Sequence, residues 1–319
     1  MTFTSTPQNG SSWQDCLPFA IDTEQEKPLD ITLEIANSKE LIAQRKIYGV
    51  TTTEVDIAPY LRDLSCLPPT INSSATLTQS PSAQTIHLTA NGTRSNNVLL
   101  FHAPYDNSTP KAISSLHQPR EIDSREPIIV TLIANASIQA SITFIARGAT
   151  NTLTLNAKTQ GLPMNLIIPA SCYPAAIEQI HIEVTGDKKS IANVDYTVVD
   201  KGANAKCIAW FNKNGGMETY TFPTSIRLSY DAKLSANAPL DEYRPLESST
   251  IRHRLCSAYE VQTQMERLAE MIFSPRIFLI KGDKMVPISL ANRHIDFDHH
   301  GTLRQMCIEV EDEWKGGAI

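Results

Sequence analysis

Seven residues near the C-terminal end, His294-Ile-Asp-Phe-Asp-His-His300, carry the densest set of metal-ligating side chains in the chain. On a strand, His294, Asp296, Asp298 and His300 share one face, with β-carbons about 7 Å apart. Imidazole and carboxylate are donor types that chelate a divalent ion. The plainer reading is an exposed polar edge face with Ile295 and Phe297 turned inward, since a structural metal draws ligands from several elements. That reading is preferred, so no metal and no cofactor is expected. Other catalytic patterns are scarce: there is no G-x-S-x-G, H-E-x-x-H, phosphate loop or dinucleotide fingerprint. Cys207 lies in an apolar run, where packing is a better role than thiol catalysis. Glu309, Glu311 and Asp312 sit in an alternating tail, whereas glycosidase chemistry needs two carboxylates converging in a cleft. Trp13, Trp210 and Trp314 could stack on sugars, but Trp more often anchors a core or an interface. The expectation is a protein that is not an enzyme.

Composition narrows the field. The chain has 319 residues, 41% hydrophobic and 19% charged, with a net charge of −6. That suits two or three domains with real cores. Abundant Thr, Ser, Ile and Asn favour strands over helices. No long basic run is present, so nucleic-acid binding through phosphate neutralisation has little support. The six cysteines, Cys16, Cys66, Cys172, Cys207, Cys256 and Cys307, are scattered with no C-x-x-C. They read as small buried hydrophobes with free thiols rather than a disulfide scaffold. The N-terminus lacks the basic and apolar regions of a signal peptide, and no apolar run is long enough to span a membrane. The expected site of synthesis and retention is a cytoplasm.

These residues need strands to position them. Residues 1–17 read as a polar arm. Leu29–Ile35 alternates apolar and polar as a half-buried strand, and 41–57 continues the pattern. Asp56–Leu64 reads as a helical turn capped by Asp56, and 68–83 as a loop. Short strands follow at 85–90 and 97–102. Pro-rich 106–127 reads as a connection, with an embedded strand left open. Six strands are expected at 128–134, 138–146, 152–157, 164–168, 177–184 and 194–200, a spacing typical of a sandwich or barrel. Residues 223–255 read as part strand, part loop. A helix at 258–273 places Val261, Met265, Leu268 and Ile272 on one stripe, with Ser257 as cap and Ser274-Pro275 as stop. A hairpin at 277–290 and a strand at 303–311 close the chain.

The strongest local signal lies at 206–222, where two apolar-rich arms flank Asn214-Gly215, a dipeptide suited to a two-residue turn. That turn would pair Lys213 with Gly216, Ala209 with Tyr220 and Cys207 with Phe222. One face would carry Cys207, Ala209, Phe211, Tyr220 and Phe222, the other Ile208, Trp210 and Met217. A hairpin apolar on both faces is covered on both.

The pattern Trp210-x-Asn212-x-x-Gly215-Gly216-x-x-x-Tyr220-x-Phe222 resembles a segment of virion structural proteins from tailed phages and prophages of gut Bacteroidetes. The helix, Ser-Pro, hairpin and final strand of the C-terminal part resemble the same proteins. The resemblance implies a tail-tip or baseplate subunit assembled in the bacterial host cytoplasm and located in the virion. Its partners would be other tail subunits and copies of itself.

The combined expectation is mainly β, with tandem β-sandwich-like domains and a small C-terminal α+β module. The divisions are an arm at 1–17, sandwiches at 18–125 and 126–223, and the α+β module at 224–319. Trp13 and Trp314, in short terminal segments, are the candidate interface anchors. The alternative function is a β-sandwich adhesin or receptor- or glycan-binding module.

Overall fold

Thr, Val and Ile in alternating runs make this chain strand-rich, and its apolar side chains close three stacked β units. The computed structural model describes residues 1–13, 15–23, 28–36, 38–61, 66–101, 109–114, 119–159, 161–234, 246–291 and 293–315, with side chains at 232–234, 246–248, 296 and 312–315 left aside. Among the described residues the chain is mainly β, with two short α-helices.

The first unit contains β1 (Thr2–Ser5), β2 (Ser11–Ser12), β3 (Pro18–Asp22), β4 (Leu29–Ile35), β5 (Leu41–Ile47) and β6 (Thr52–Asp56). Helix α1 (Ala58–Leu61) follows, its Ala58 N–H bonded to Asp56 Oδ1 at 3.1 Å. Next come β7 (Thr76–Gln79), β8 (Gln84–Ala90), β9 (Thr93–Arg94) and β10 (Val98–Phe101). Two sheets, ordered β1-β3-β6 and β2-β10-β8-β4-β5, enclose Phe19, Ile31, Leu33, Ile86 and Leu88. The expected arm is therefore structured: β1 pairs with β3 and β2 with β10. The expected loop at 68–83 contains β7, which belongs to the second unit.

The second unit holds β11 (Lys111–Ala112), β12 (Arg120–Asp123), β13 (Ile128–Ile133), β14 (Ser137–Ala146), β15 (Ala149–Lys158), β16 (Met164–Ile168), β17 (Ile177–Gly186) and β18 (Lys189–Val199). Its sheets are β11-β13-β16-β7 and β12-β18-β17-β14-β15. Strands β7, β11 and β12 precede residue 126, so the sheets cross the boundary drawn at 125. Too few apolar residues mark these short strands for alternation to reveal them.

The third unit is one eight-stranded sheet. Its strands are β19 (Lys206–Phe211), β20 (Met217–Phe222), β21 (Thr224–Leu234), β22 (Leu246–Cys256), β23 (Ile277–Lys281), β24 (Lys284–Leu290), β25 (Asp296–His300) and β26 (Leu303–Lys315). The order is β20-β19-β23-β24-β26-β22-β21, with β25 on β26. The 206–222 hairpin thus joins the third unit rather than the second sandwich. Helix α2 (Gln262–Ala269) runs into a 3₁₀ turn at Glu270–Phe273, so the expected 258–273 helix is shorter. Val261 is its N-cap, and Ser257 instead accepts from Met306 N and donates to Ala258 O. Met265, Leu268 and Met271 form the buried stripe, while Val261 is exposed.

Strands β13 and β16 are buried at every position, because both faces are covered. Ile128, Val130, Leu132, Leu166 and Ile168 face the second unit's own core. Ile129 and Ile167 face Ala209, Phe211, Met217 and Phe278 of the third unit. The β13–β16 sheet is the middle of three layers.

Candidate functional site

The hairpin loop is where the second and third units interlock. The observed register pairs Cys207 with Thr221, Ile208 with Tyr220, Trp210 with Glu218 and Phe211 with Met217. This is one residue away from the expected register, because the loop spans Asn212–Gly216 instead of a two-residue turn. Asn212 organises it. Its Oδ1 accepts from the N–H groups of Asn214 and Gly216, each at 2.9 Å, while its backbone N–H bonds Gly216 O at 2.8 Å. Asx side chains close such loops by replacing backbone partners. Gly215 adopts φ +80°, which favours glycine. Gly216 has another reason to lack a side chain: a Cβ there would lie 2.7 Å from Ile113 O.

The register shift re-sorts the faces. Ile208, Trp210, Tyr220 and Phe222 share the core under α2. Cys207, Ala209, Phe211 and Met217 face the second unit. Polar contacts complete that joint: Met217 N–H donates to Thr131 Oγ1 at 3.1 Å, and Thr131 Oγ1 donates to Asn165 Oδ1 at 2.9 Å.

Beside the hairpin lies a charged node that polar, Pro-flanked residues 119–127 do not announce by any pattern. Arg120 Nη2 meets Glu126 Oε1 at 2.6 Å and Thr219 O at 2.9 Å. Tyr173 donates to Glu126 O at 2.7 Å. Burial works to raise the Glu126 carboxyl, but the charges of Arg120 and Lys201 outweigh it and hold it below the usual range. Lys201 Nζ sits 4.7 Å over the Tyr220 ring. The only signal in sequence is the charge-rich run Arg120-Glu-Ile-Asp-Ser-Arg-Glu126, which matches no motif.

A cleft of about 620 Å³ opens next to this node, lined by Ile71, Asp123, Arg125, Cys207, Thr221 and Asp283 among others. Arg125 grips Asp123 through Nε–Oδ1 at 2.8 Å and Nη2–Oδ2 at 3.0 Å. Burial would raise the Asp123 carboxyl, yet Arg125 and the backbone N–H of Lys201 hold it low. Burial pushes the Cys207 thiol up, so it stays protonated. No histidine lines the cleft among the described residues. Nucleophilic catalysis requires a base next to an activated nucleophile; here burial keeps the Cys207 thiol protonated and Arg125 engages Asp123, which leaves Asp283 as the lining's other carboxylate.

The other sequence candidates disperse. Trp13 is 3% exposed within the first unit's core, its Nε1 donating to Ser82 O at 3.1 Å, so it is no interface anchor. Short β2 fixes the arm on β10 and folds that ring inward. Trp314 lies on β26, and its side chain is outside the described residues, as is that of Asp296. Asp298 and His300 are exposed on β25, where His300 packs 5.8 Å from the Tyr259 ring. Phe297, expected inward, is partly exposed, while Ile295 packs on the core under α2. The described residues bring no three His, Cys, Asp or Glu side chains together in a metal-holding group. Cys256 and Cys307, expected as free thiols, form a disulfide between directly paired positions of β22 and β26.

No protein-family model matches the chain, and no curated protein matches it. Among solved structures, the chicken interferon gamma receptor alpha chain is 11% identical, with 60% of this chain and 93% of that chain covered at a TM-score of 0.18. Dpr2 Ig1-Ig2 in complex with DIP-Theta Ig1-Ig3 gives 9%, 99% and 90% at 0.21. Chicken CNTN1 FN1-FN3 domains give 8%, 90% and 94% at 0.21. At such scores the fold rests on this chain's own sheets.

Proposed function

We propose that this chain is a structural subunit that works by docking to other protein surfaces, with no catalytic step. The observation that supports it is the use of the Trp210–Phe222 motif. Asn212 and Gly216 meet Ile113 of the second unit, Phe211 and Met217 pack against Ile129 and Ile167, and Trp210, Tyr220 and Phe222 root the same hairpin in the third unit's core. The cleft beside them offers shape, without a reactive pair. A stiff stack of β layers suits a building element. Within that reading, the resemblance of the motif to tail-tip and baseplate proteins supports a place in a phage or prophage particle, with other tail subunits as partners. The test is co-expression of a tagged chain with its gene neighbours, followed by electron microscopy of the purified assemblies. A particle containing all three β units supports the proposal. A chain that never co-purifies with a particle refutes it.

The second reading, a secreted adhesin or receptor-binding module, is favoured by the Cys256–Cys307 disulfide, because such bonds persist in oxidising compartments. Glycan-array binding by the isolated chain, with no particle association, would put this reading first.

A further inference from the structure

Strand β21 ends the eight-stranded sheet, and among the described residues it pairs on one side only. An edge of this kind offers a row of unpaired backbone groups to another strand. Its side chains are unusual for an edge: Ile226, Leu228 and Tyr230 are 53%, 45% and 63% exposed. A bulge between Arg227 and Ser229 sets their directions. Ile226, Ser229 and Asp231 lie opposite Arg254, Arg252 and Thr250 and share one face of the sheet. Arg227 and Tyr230, opposite His253 and Ile251, share the other. The Arg227 guanidinium bonds the Tyr230 hydroxyl and lies 4.8 Å from its ring centroid, which agrees with that assignment.

We propose that β21 pairs antiparallel with β21 of a second copy of this chain, about a two-fold axis at the Leu228–Ser229 bulge. The proposal rests on the reading of this chain as an assembling subunit and gives that assembly its first contact. Self-pairing is an isologous contact, in which each residue pair occurs twice. Directly opposite residues in a ladder share a face, so the bulge restricts the registers. With the axis between Leu228 and Ser229, Leu228 meets the copy's Ser229, and the two Leu228 side chains lie diagonally across the axis. Arg227 then faces the copy's Tyr230 on both sides of the axis, a cation against an aromatic ring. Ile226 faces Asp231, and no like charges are opposed. Centring the axis on Arg227 or Asp231 instead sets two guanidinium groups or two carboxylates face to face, which destabilises a pair. Charge thus selects the bulge-centred register over those two neighbours.

The experiment is sedimentation of the full chain between about 1 and 100 μM, beside the Leu228→Lys variant. The expected result is a dimer that Leu228→Lys weakens at least about tenfold. Register is read separately, by oxidising Leu228→Cys in a background carrying Cys16→Ser and Cys172→Ser. Cross-linked dimer is expected from Leu228→Cys and not from Leu153→Cys on the edge strand β15. A chain that stays monomeric throughout, a dimer untouched by Leu228→Lys, or cross-linking only at Leu153→Cys overturns the proposal. A monomer that still enters a particle would sink strand pairing and leave the assembly reading standing. A dimer found in no particle would do the reverse.

Discussion

The side-chain amide of Asn212 donates to the carbonyl oxygen of Ile113 at 2.8 Å, tying a hairpin loop of the third unit to the chain entering the second. The same nitrogen reaches Glu218 Oε1 at 2.7 Å, and the opposite oxygen holds the loop closed. Asn212→Ala should therefore cost roughly 1–3 kcal/mol, because buried backbone groups lose their partners. Asn212→Asp should be no better, since its carboxylate would face Glu218 and a carbonyl. Urea midpoints of the two variants check this, and an Asp variant of native stability would contradict it.

Gly215 and Gly216 are expected to fail in different ways. Gly215→Val should cost roughly 1–3 kcal/mol by backbone strain, as a β-branched residue is poorly placed at φ +80°. Gly216→Ala should cost a comparable ~1–3 kcal/mol by overpacking, since the new Cβ meets Ile113 O at 2.7 Å and Ser114 N at 2.9 Å. Only the second should loosen the joint between units. Hydrogen exchange at the Met217 amide, which donates to Thr131 Oγ1 across the joint, is the discriminating readout. Equal protection there in both variants would show that the close approach is not what holds the joint.

The strands legible in sequence were those with one buried face, such as β4 and β17, or a long apolar run, such as β13. Two-residue β11 has no room for a period. Paired β21 and β22 carry Ser, Arg and Thr on exposed faces and read as mixed loop and strand. The hairpin was visible and its register was not: Asn214-Gly215 suggested a two-residue turn, but Asn212 reaches two residues forward and closes a longer loop. Trp13 was misplaced because its burial depends on Ser82, far along the chain. The Arg120–Glu126 pair was invisible for a related reason. Only assembly of β12 against β20 shows that these charges leave water. Cys256 and Cys307 illustrate the same limit, since their pairing follows from strand order.

The Cys256–Cys307 disulfide closes a loop with a sequence separation of 51 between two already paired strands. By the loop-closure argument it should contribute about 2–4 kcal/mol. Native chain should show four free thiols after denaturation, out of six cysteines in all. Cys256→Ser together with Cys307→Ser should lower the denaturation midpoint without changing the β signal in circular dichroism. Six reactive thiols in freshly purified chain would remove the bridge from consideration.

The Arg120–Glu126 pair should behave as a buried ion pair, costly to break and cheap to replace. Glu126→Gln leaves the Arg120 charge without its carboxylate and should cost about 3 kcal/mol. Replacing both by apolar residues, Arg120→Met with Glu126→Leu, should recover most of that loss. The pH dependence follows from the direction of the shift. Burial would raise Glu126 from its ordinary value of 4.5, but Arg120 and Lys201 prevail and the folded value lies lower. A carboxyl lowered on folding contributes fully above its unfolded value and loses that contribution as pH falls through the folded one. The stability gap between the native chain and Glu126→Gln should thus be constant at neutral pH and shrink below about pH 4.5. Denaturation curves of both proteins across that range check it. A gap that stayed constant would mean that folding does not shift the Glu126 carboxyl, and one that widened on acidification would mean that Glu126 is neutral in the folded chain.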